Sequence, residues 1–250
     1  MNLKKKKALY WSIALNVISV IILIYVSCIK TDFGNRCLIK IGVLEQKTIP
    51  FSWRPEFPKI EGWANSLSKM DIKADAVFYG NSITFQSNFQ DSFPQATICN
   101  LGCNFDDLDD LINRSFLIKS VNPNMIFILG GINKFYETNL DVFQQKYKVL
   151  VDTIMRQNPQ AKIFLQSLLP VNTSLRYGKR YSHCAEQIKD ANLIIKKISS
   201  SKGCTYIDLY SLYSENDTLS IKYTEDGLHL RPEAYTLWSE KISPYFHKLR

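Results

Sequence analysis

Beyond residue 70 the chain alternates between two kinds of hydrophobic spacing. Solid apolar runs at Ala74 to Tyr79, Ala96 to Leu101, Met125 to Leu129, Lys162 to Leu165 and Cys204 to Leu209 predict five strands. The first three end at glycines, Gly80, Gly102 and the pair Gly130 and Gly131. Between them, apolar residues recur at helical spacing: Leu108, Leu111 and Ile112; Phe143, Tyr147, Leu150, Val151 and Ile154; Ala185, Ile188, Ala191, Ile195 and Ile198. A last helix is predicted from near Pro232, a residue that suits a first helical turn, toward His247. Strands that are apolar throughout, rather than alternating, are buried on both faces. The pattern therefore predicts an α/β protein, a three-layer αβα sandwich around a five-stranded parallel sheet. In such a sheet the working residues collect on the loops beyond the carboxyl ends of the strands.

The N-terminal pattern is different. Residues 8–29 carry no charge and are mostly apolar, and as a helix they would extend about 33 Å, enough for a hydrocarbon core of about 30 Å. Lys4, Lys5, Lys6 and Lys7 precede them, which predicts a cytoplasmic N-terminus and a domain outside the cytoplasm, in the cell envelope or periplasm if bacterial. Cleavage of this segment as a signal peptide, or lipid attachment at Cys28, would deliver the domain to the same side. The expected organisation is a basic tip and transmembrane anchor over 1–30, an extended lead with a short helix over 31–70, and the α/β domain over 71–250. Within the lead, Cys37 to Leu44 suggests one edge strand, and Ile60, Trp63, Leu67 and Met70 share one helical face.

Charge narrows the partners. The formal net charge is +8, but the first 30 residues supply five of these, leaving +3 without a basic run, which argues against nucleic acid. The six cysteines lack a paired C-x-x-C spacing, and the bland reading is buried free thiols. With three histidines, a multi-histidine metal site is not expected.

Four short segments lie where chemistry is expected. Gly80-Asn81-Ser82 follows the first strand, Gly102 ends the second, Gly131-Ile132-Asn133 follows the third, and Asp226-Gly227-Leu228-His229 precedes the last helix. Each taken alone has an ordinary reading: a serine cap on a helix, turn glycines, or a capping aspartate beside a surface histidine.

Together, in this order and strand context, they resemble the blocks of the SGNH hydrolases, the GDSL esterase and lipase family. The likeness covers about residues 71–250 and includes Leu230, Pro232, Tyr235 and Trp238 after the histidine. Two positions depart from the family pattern: Asn81 replaces the usual Asp, and Lys134 replaces the Asp that often follows the Gly-x-Asn asparagine. The resemblance implies a flavodoxin-like SGNH hydrolase fold and a Ser-His-Asp mechanism without cofactor or metal. Ser82 would be the nucleophile, His229 the base in preference to His183 and His247, and Asp226 its orienting partner. The oxyanion hole would comprise the Ser82 and Gly102 backbone N–H groups and the Asn133 side-chain amide. Thr84 stands where the Gly-x-Ser-x-Gly elbow of the α/β-hydrolases would need its second glycine.

The leading expectation is a membrane-anchored serine esterase that removes a short acyl group, acetyl foremost, from an acylated glycan outside the cytoplasm. The alternatives are an O-acyltransferase or a lysophospholipase or lipase with the same triad, and a catalytically silent domain that binds a surface partner. Trp53, Arg54, Trp63 and Arg176 are of the types that line sugar sites, and equally of the types found in ordinary packing.

Overall fold

A computed structural model describes residues 15–19, 57–69 and 73–246. Residues 15–19 are helical and exposed; the rest of the expected anchor over 8–29 and the suggested edge strand at Cys37 to Leu44 lie outside the described residues. Among the described residues no helix is long and apolar enough to cross a membrane. The chain divides into two compact units, Met1–Lys59 and Ile60–Arg250, and the second carries the sheet.

In chain order the elements are α1 (Phe57–Lys69), β1 (Ala76–Gly80), α2 (Ser82–Phe85), α3 (Phe89–Ser92), β2 (Ile98–Gly102), α4 (Leu108–Asn113), α5 (Phe116–Ser120) and β3 (Met125–Leu129). They continue with α6 (Leu140–Gln157), β4 (Lys162–Gln166), α7 (Gln187–Lys202), β5 (Thr205–Ile207), α8 (Tyr210–Tyr213), the two-residue strands β6 (Ser214–Glu215) and β7 (Thr218–Leu219), and α9 (Ala234–Phe246). The five longer strands form one sheet in the order β2-β1-β3-β4-β5, every pair parallel. This is the doubly wound arrangement that the solid apolar runs predict. The strand order reverses beside β1, which places the natural crevice at the carboxyl end of that strand.

Period-two alternation sorts each strand onto two faces. Phe78, Phe127 and Phe164 are in register on β1, β3 and β4, and their rings stack with centroids 4.9 and 4.4 Å apart. Phe89 stacks on Phe78 at 3.9 Å, and Trp238 of α9 closes edge-on against Phe89 at 5.1 Å. On the opposite face of β1, Tyr79 turns its hydroxyl to the carbonyl of Leu111 in α4 at 2.5 Å. α4 and α7 both pack against α6, and α7 also lies against β4 and β5. Layers of helix thus cover both sides of the sheet.

Two expected boundaries move. β5 stops at Ile207 because the N–H groups of Leu209 and Tyr210 turn to the hydroxyl of Ser167, at 2.8 and 2.7 Å, instead of continuing the ladder. α9 begins at Ala234, and Pro232 lies in the preceding turn, where its carbonyl accepts from Tyr235 N–H at 3.2 Å. Cys99, Cys103 and Cys184 are buried, and Cys204 is half-buried.

Candidate active site

At the end of β1 the chain turns directly into α2. The residue that caps this helix is Asn81: its backbone is extended and its Oδ1 accepts from Ile83 N–H at 3.0 Å. The helix-cap role thereby falls on Asn81, and the Ser82 hydroxyl is left for other work. Ser82 opens the first turn of α2, where backbone N–H groups have no partner within the helix. Asn81 is fully buried, so its departure from the family's usual Asp is a matter of capping and does not present a different group to substrate.

The Ser82 hydroxyl lies 3.0 Å from Nε2 of His229, and Nδ1 of the same ring lies 2.7 Å from Oδ2 of Asp226. Ser82 is 8% exposed, while the His229 and Asp226 side chains are 23% and 25% exposed, so the serine is buried and the acid and base are partly open to solvent. The loop that carries the acid and the base is held from within and from outside. Within it, Asp226 Oδ1 accepts from the N–H groups of Leu228 and His229 at 2.9 and 2.8 Å, and Gly227 adopts φ +87°, a conformation that suits a residue without a Cβ. From outside, the carbonyl of Asp226 accepts from Tyr177 and Gly178 N–H at 2.7 and 3.1 Å, and that of Gly227 from Asn172 N–H at 2.9 Å.

Burial of the Asp226 carboxyl works to raise its pKa. The hydrogen bonds from the His229 ring and from the His229 and Leu228 N–H groups outweigh this and hold it below the ordinary aspartate value. The carboxylate is thereby kept charged, as a group that fixes an imidazole tautomer must be.

The expected oxyanion donors divide. Asn133 follows β3 and is half-buried; one hydrogen of its amide goes to the carbonyl of Asp106 at 2.9 Å, which leaves the second hydrogen of the NH₂ group. Gly102 requires a correction. Its N–H donates to Oδ1 of Asn100 at 2.8 Å, and a donor committed there cannot hold a developing oxyanion without giving up that bond. What the site takes from Gly102 is its missing side chain: a Cβ would lie 2.2 Å from the backbone nitrogen of Phe85 in the helix that begins with Ser82. Asn100 itself donates to the carbonyls of Thr84 and Ser87 at 2.9 and 3.1 Å, tying β2 to the end of α2.

Lys134, the second departure, has left-handed backbone and places Nζ against the carboxylate of Asp107, the cap of α4. His183 turns its Nε2 to the carbonyl of Tyr136 at 3.1 Å, and His247 lies outside the described residues. Of the four residues considered for a sugar site, Trp53 and Arg54 also lie outside the described residues, and Trp63 falls on α1. Arg176 is exposed, with its guanidinium 5.1 Å from the centre of the Tyr177 ring, and that ring meets the His229 imidazole edge to face at 5.8 Å.

Sequence reasoning missed Asn100, Tyr177 and a buried pair, Asp106 and Arg114. Arg114 follows the last residue of α4 and lies about 120° round the helix from Leu108, so the leucine stripe gives no signal that it is buried.

A hydroxyl, an imidazole and a carboxylate in one relay on the rim of a doubly wound sheet define a class, that of the acyl-transferring serine enzymes. The GDSL-like Lipase/Acylhydrolase family matches residues 75–237, and the chain belongs to that family, whose members cleave carboxylic esters; it is an ester hydrolase. Among solved structures it is similar to a Streptococcus pneumonia protein provisionally named as a platelet activating factor. That pair has 23% identity and a TM-score of 0.66, over 75% of this chain and 91% of the other. A GDSL-like lipase from Bacteroides thetaiotaomicron aligns at 20% identity with a TM-score of 0.64, over 78% of this chain and 100% of the other. At these identities the two structures speak for the fold alone. A comparison with curated protein sequences finds no match.

Proposed function

We propose that the protein is a membrane-anchored esterase that removes short acyl groups, acetyl foremost, from a carbohydrate outside the cytoplasm through an acyl-enzyme on Ser82. The observation that carries the mechanism is the relay of 3.0 Å from Ser82 to His229 and 2.7 Å from His229 to Asp226. In the first step His229 Nε2 takes the Ser82 proton as Oγ bonds to the ester carbonyl carbon, and the carbonyl oxygen becomes an oxyanion. The Ser82 N–H and the second amide hydrogen of Asn133 receive that charge; removal of one such donor typically costs about a hundredfold to a thousandfold in rate. Collapse expels the alcohol, which takes the proton from His229. Water then repeats the sequence on the acyl-serine and releases the acid.

The compartment rests on the basic tip and apolar segment of the first 30 residues. A small acyl group is favoured because the segments that leave β2 and β3 beside the end of β1, 103–107 and 130–134, are short and offer little surface for a fatty chain. The reading of a sugar rests on the compartment and on Tyr177, whose ring meets His229 edge to face and lies under the Arg176 guanidinium.

One experiment tests the reading. Purified protein is given aryl esters of graded chain length and acetylated oligosaccharides, with a serine-directed phosphonate as label. We expect Ser82→Ala to remain folded, to lose turnover and to escape labelling. In wild type we expect acetyl to exceed octanoyl by at least about tenfold in kcat/KM, the scale on which a pocket separates chain lengths. Full activity in Ser82→Ala would end the triad assignment. Faster octanoyl cleavage would make the enzyme a lipase, and efficient acetyl transfer to sugar with little free acid would make it a transferase.

A further inference from the structure

Arg114 is fully buried, and its guanidinium reaches three segments that lead into the site. Nη2 donates to the carbonyl of Gly80, two residues before Ser82, and Nη1 to the carbonyl of Leu101, one residue before Gly102; both distances are 2.7 Å. Nε meets the carboxylate of Asp106, whose backbone carbonyl receives the Asn133 amide at 2.9 Å. Because a carbonyl can only accept, that contact fixes which end of the Asn133 amide carries hydrogen and sets its plane. The ends of β1 and β2 and the asparagine that follows β3 are thus referred to one planar cation, which also lies over the Tyr79 ring at 4.2 Å.

Stability alone is a poor account of this arrangement. Taking an ion pair out of water costs about as much as the pair returns, and apolar replacements of similar volume often serve a core as well. What an apolar residue cannot do is fix two carbonyls and a carboxylate in one plane, which is the property of the guanidinium fork.

We propose that Arg114 and Asp106 are positioning residues for the oxyanion side of the site, acting through the Gly80 and Leu101 carbonyls and through Asn133. The proposal rests on the reading of Asn133 as an oxyanion donor. It makes the loss on removing Asn133 depend on whether the pair is intact.

The test is a double-mutant cycle on the full chain, with acetyl aryl ester turnover and thermal unfolding measured for each variant. Arg114→Lys keeps the charge and loses the fork. We expect it to fold, to lower kcat by about tenfold to a hundredfold, the penalty for misplacing reacting groups by about 1 Å, and to leave KM within about twofold. Asn133→Ala should cost about a hundredfold in the wild-type background but less than about threefold in Arg114→Lys, because the amide is already misplaced there. Asp106→Asn, nearly isosteric, should show the same coupling. Equal losses from Asn133→Ala in all backgrounds, or wild-type kcat in folded Arg114→Lys, overturn the proposal. Failure of both Arg114→Lys and Asp106→Asn to fold also overturns it, since the pair would then hold the core and not the site. If Asn133→Ala is harmless in wild type, it is the oxyanion reading that fails.

Discussion

His229 and Asp226 share one short loop but stand in different relation to the reacting atoms, and their replacements should separate accordingly. We expect His229→Ala to reduce kcat/KM as far as Ser82→Ala, because it removes the base. Asp226→Asn should leave measurable activity, because it disturbs only the orientation and charge of the ring, and groups that act as one unit give non-additive losses. Asp226 also makes stability depend on pH. Its carboxyl is held below the ordinary value of 3.8, so its hydrogen bonds contribute in full above that pH and are lost as pH falls through the lower folded value. Urea unfolding of wild type and Asp226→Asn should therefore differ most near neutral pH and converge in acid. That Ser82, His229 and Asp226 would come together was legible in the sequence, because the segments that carry them occur in the order and strand context of the family they resemble. The role of Gly102 was not, because whether an N–H is free depends on a neighbour's rotamer, here that of Asn100. The Asp106 and Arg114 pair was not legible, because spacing neither buries the arginine nor tells which carbonyls its fork will reach.

Long elements were legible for the same reason that they are stable, since each repeats one apolar stripe over several turns or one solid run against its neighbours. All five parallel strands fall within the expected runs or a residue beyond them. Helices of a single turn carry too few positions to show a period, so α2, α3, α5 and α8 passed unseen, as did the two-residue pair β6 and β7. The unseen α2 is the element that presents Ser82, and its clearance from β2 depends on Gly102. Gly102→Ala would put a methyl group 2.2 Å from Phe85 N, against backbone that cannot rotate away. We expect it to lower stability by about 1–3 kcal/mol, as overpacking does, and to lower kcat by more than tenfold as the helix shifts. Thermal unfolding alongside ester turnover checks both, and wild-type turnover would show that α2 tolerates the displacement.

Taken as a whole, the molecule has a formal charge of +8, half of it in the four lysines of a basic tip that is followed by an uncharged stretch, and the proposed display of the domain outside the cytoplasm rests on this asymmetry. Protease added to intact cells is expected to remove the domain, and protection equal to that of a cytosolic marker would refute the placement. The order in which the parts of the site occur along the chain carries one more consequence. The nucleophile and the base are 147 positions apart, with the sheet between them, while the base and its acid lie together just ahead of the final helix. A ribosome completes the strands first and the acid and base almost last. Until that final stretch emerges and docks, the serine has no proton acceptor, so a nascent or prematurely terminated chain has no means of attacking esters on its way to its place of work. Synthesis itself thus serves as the safety catch.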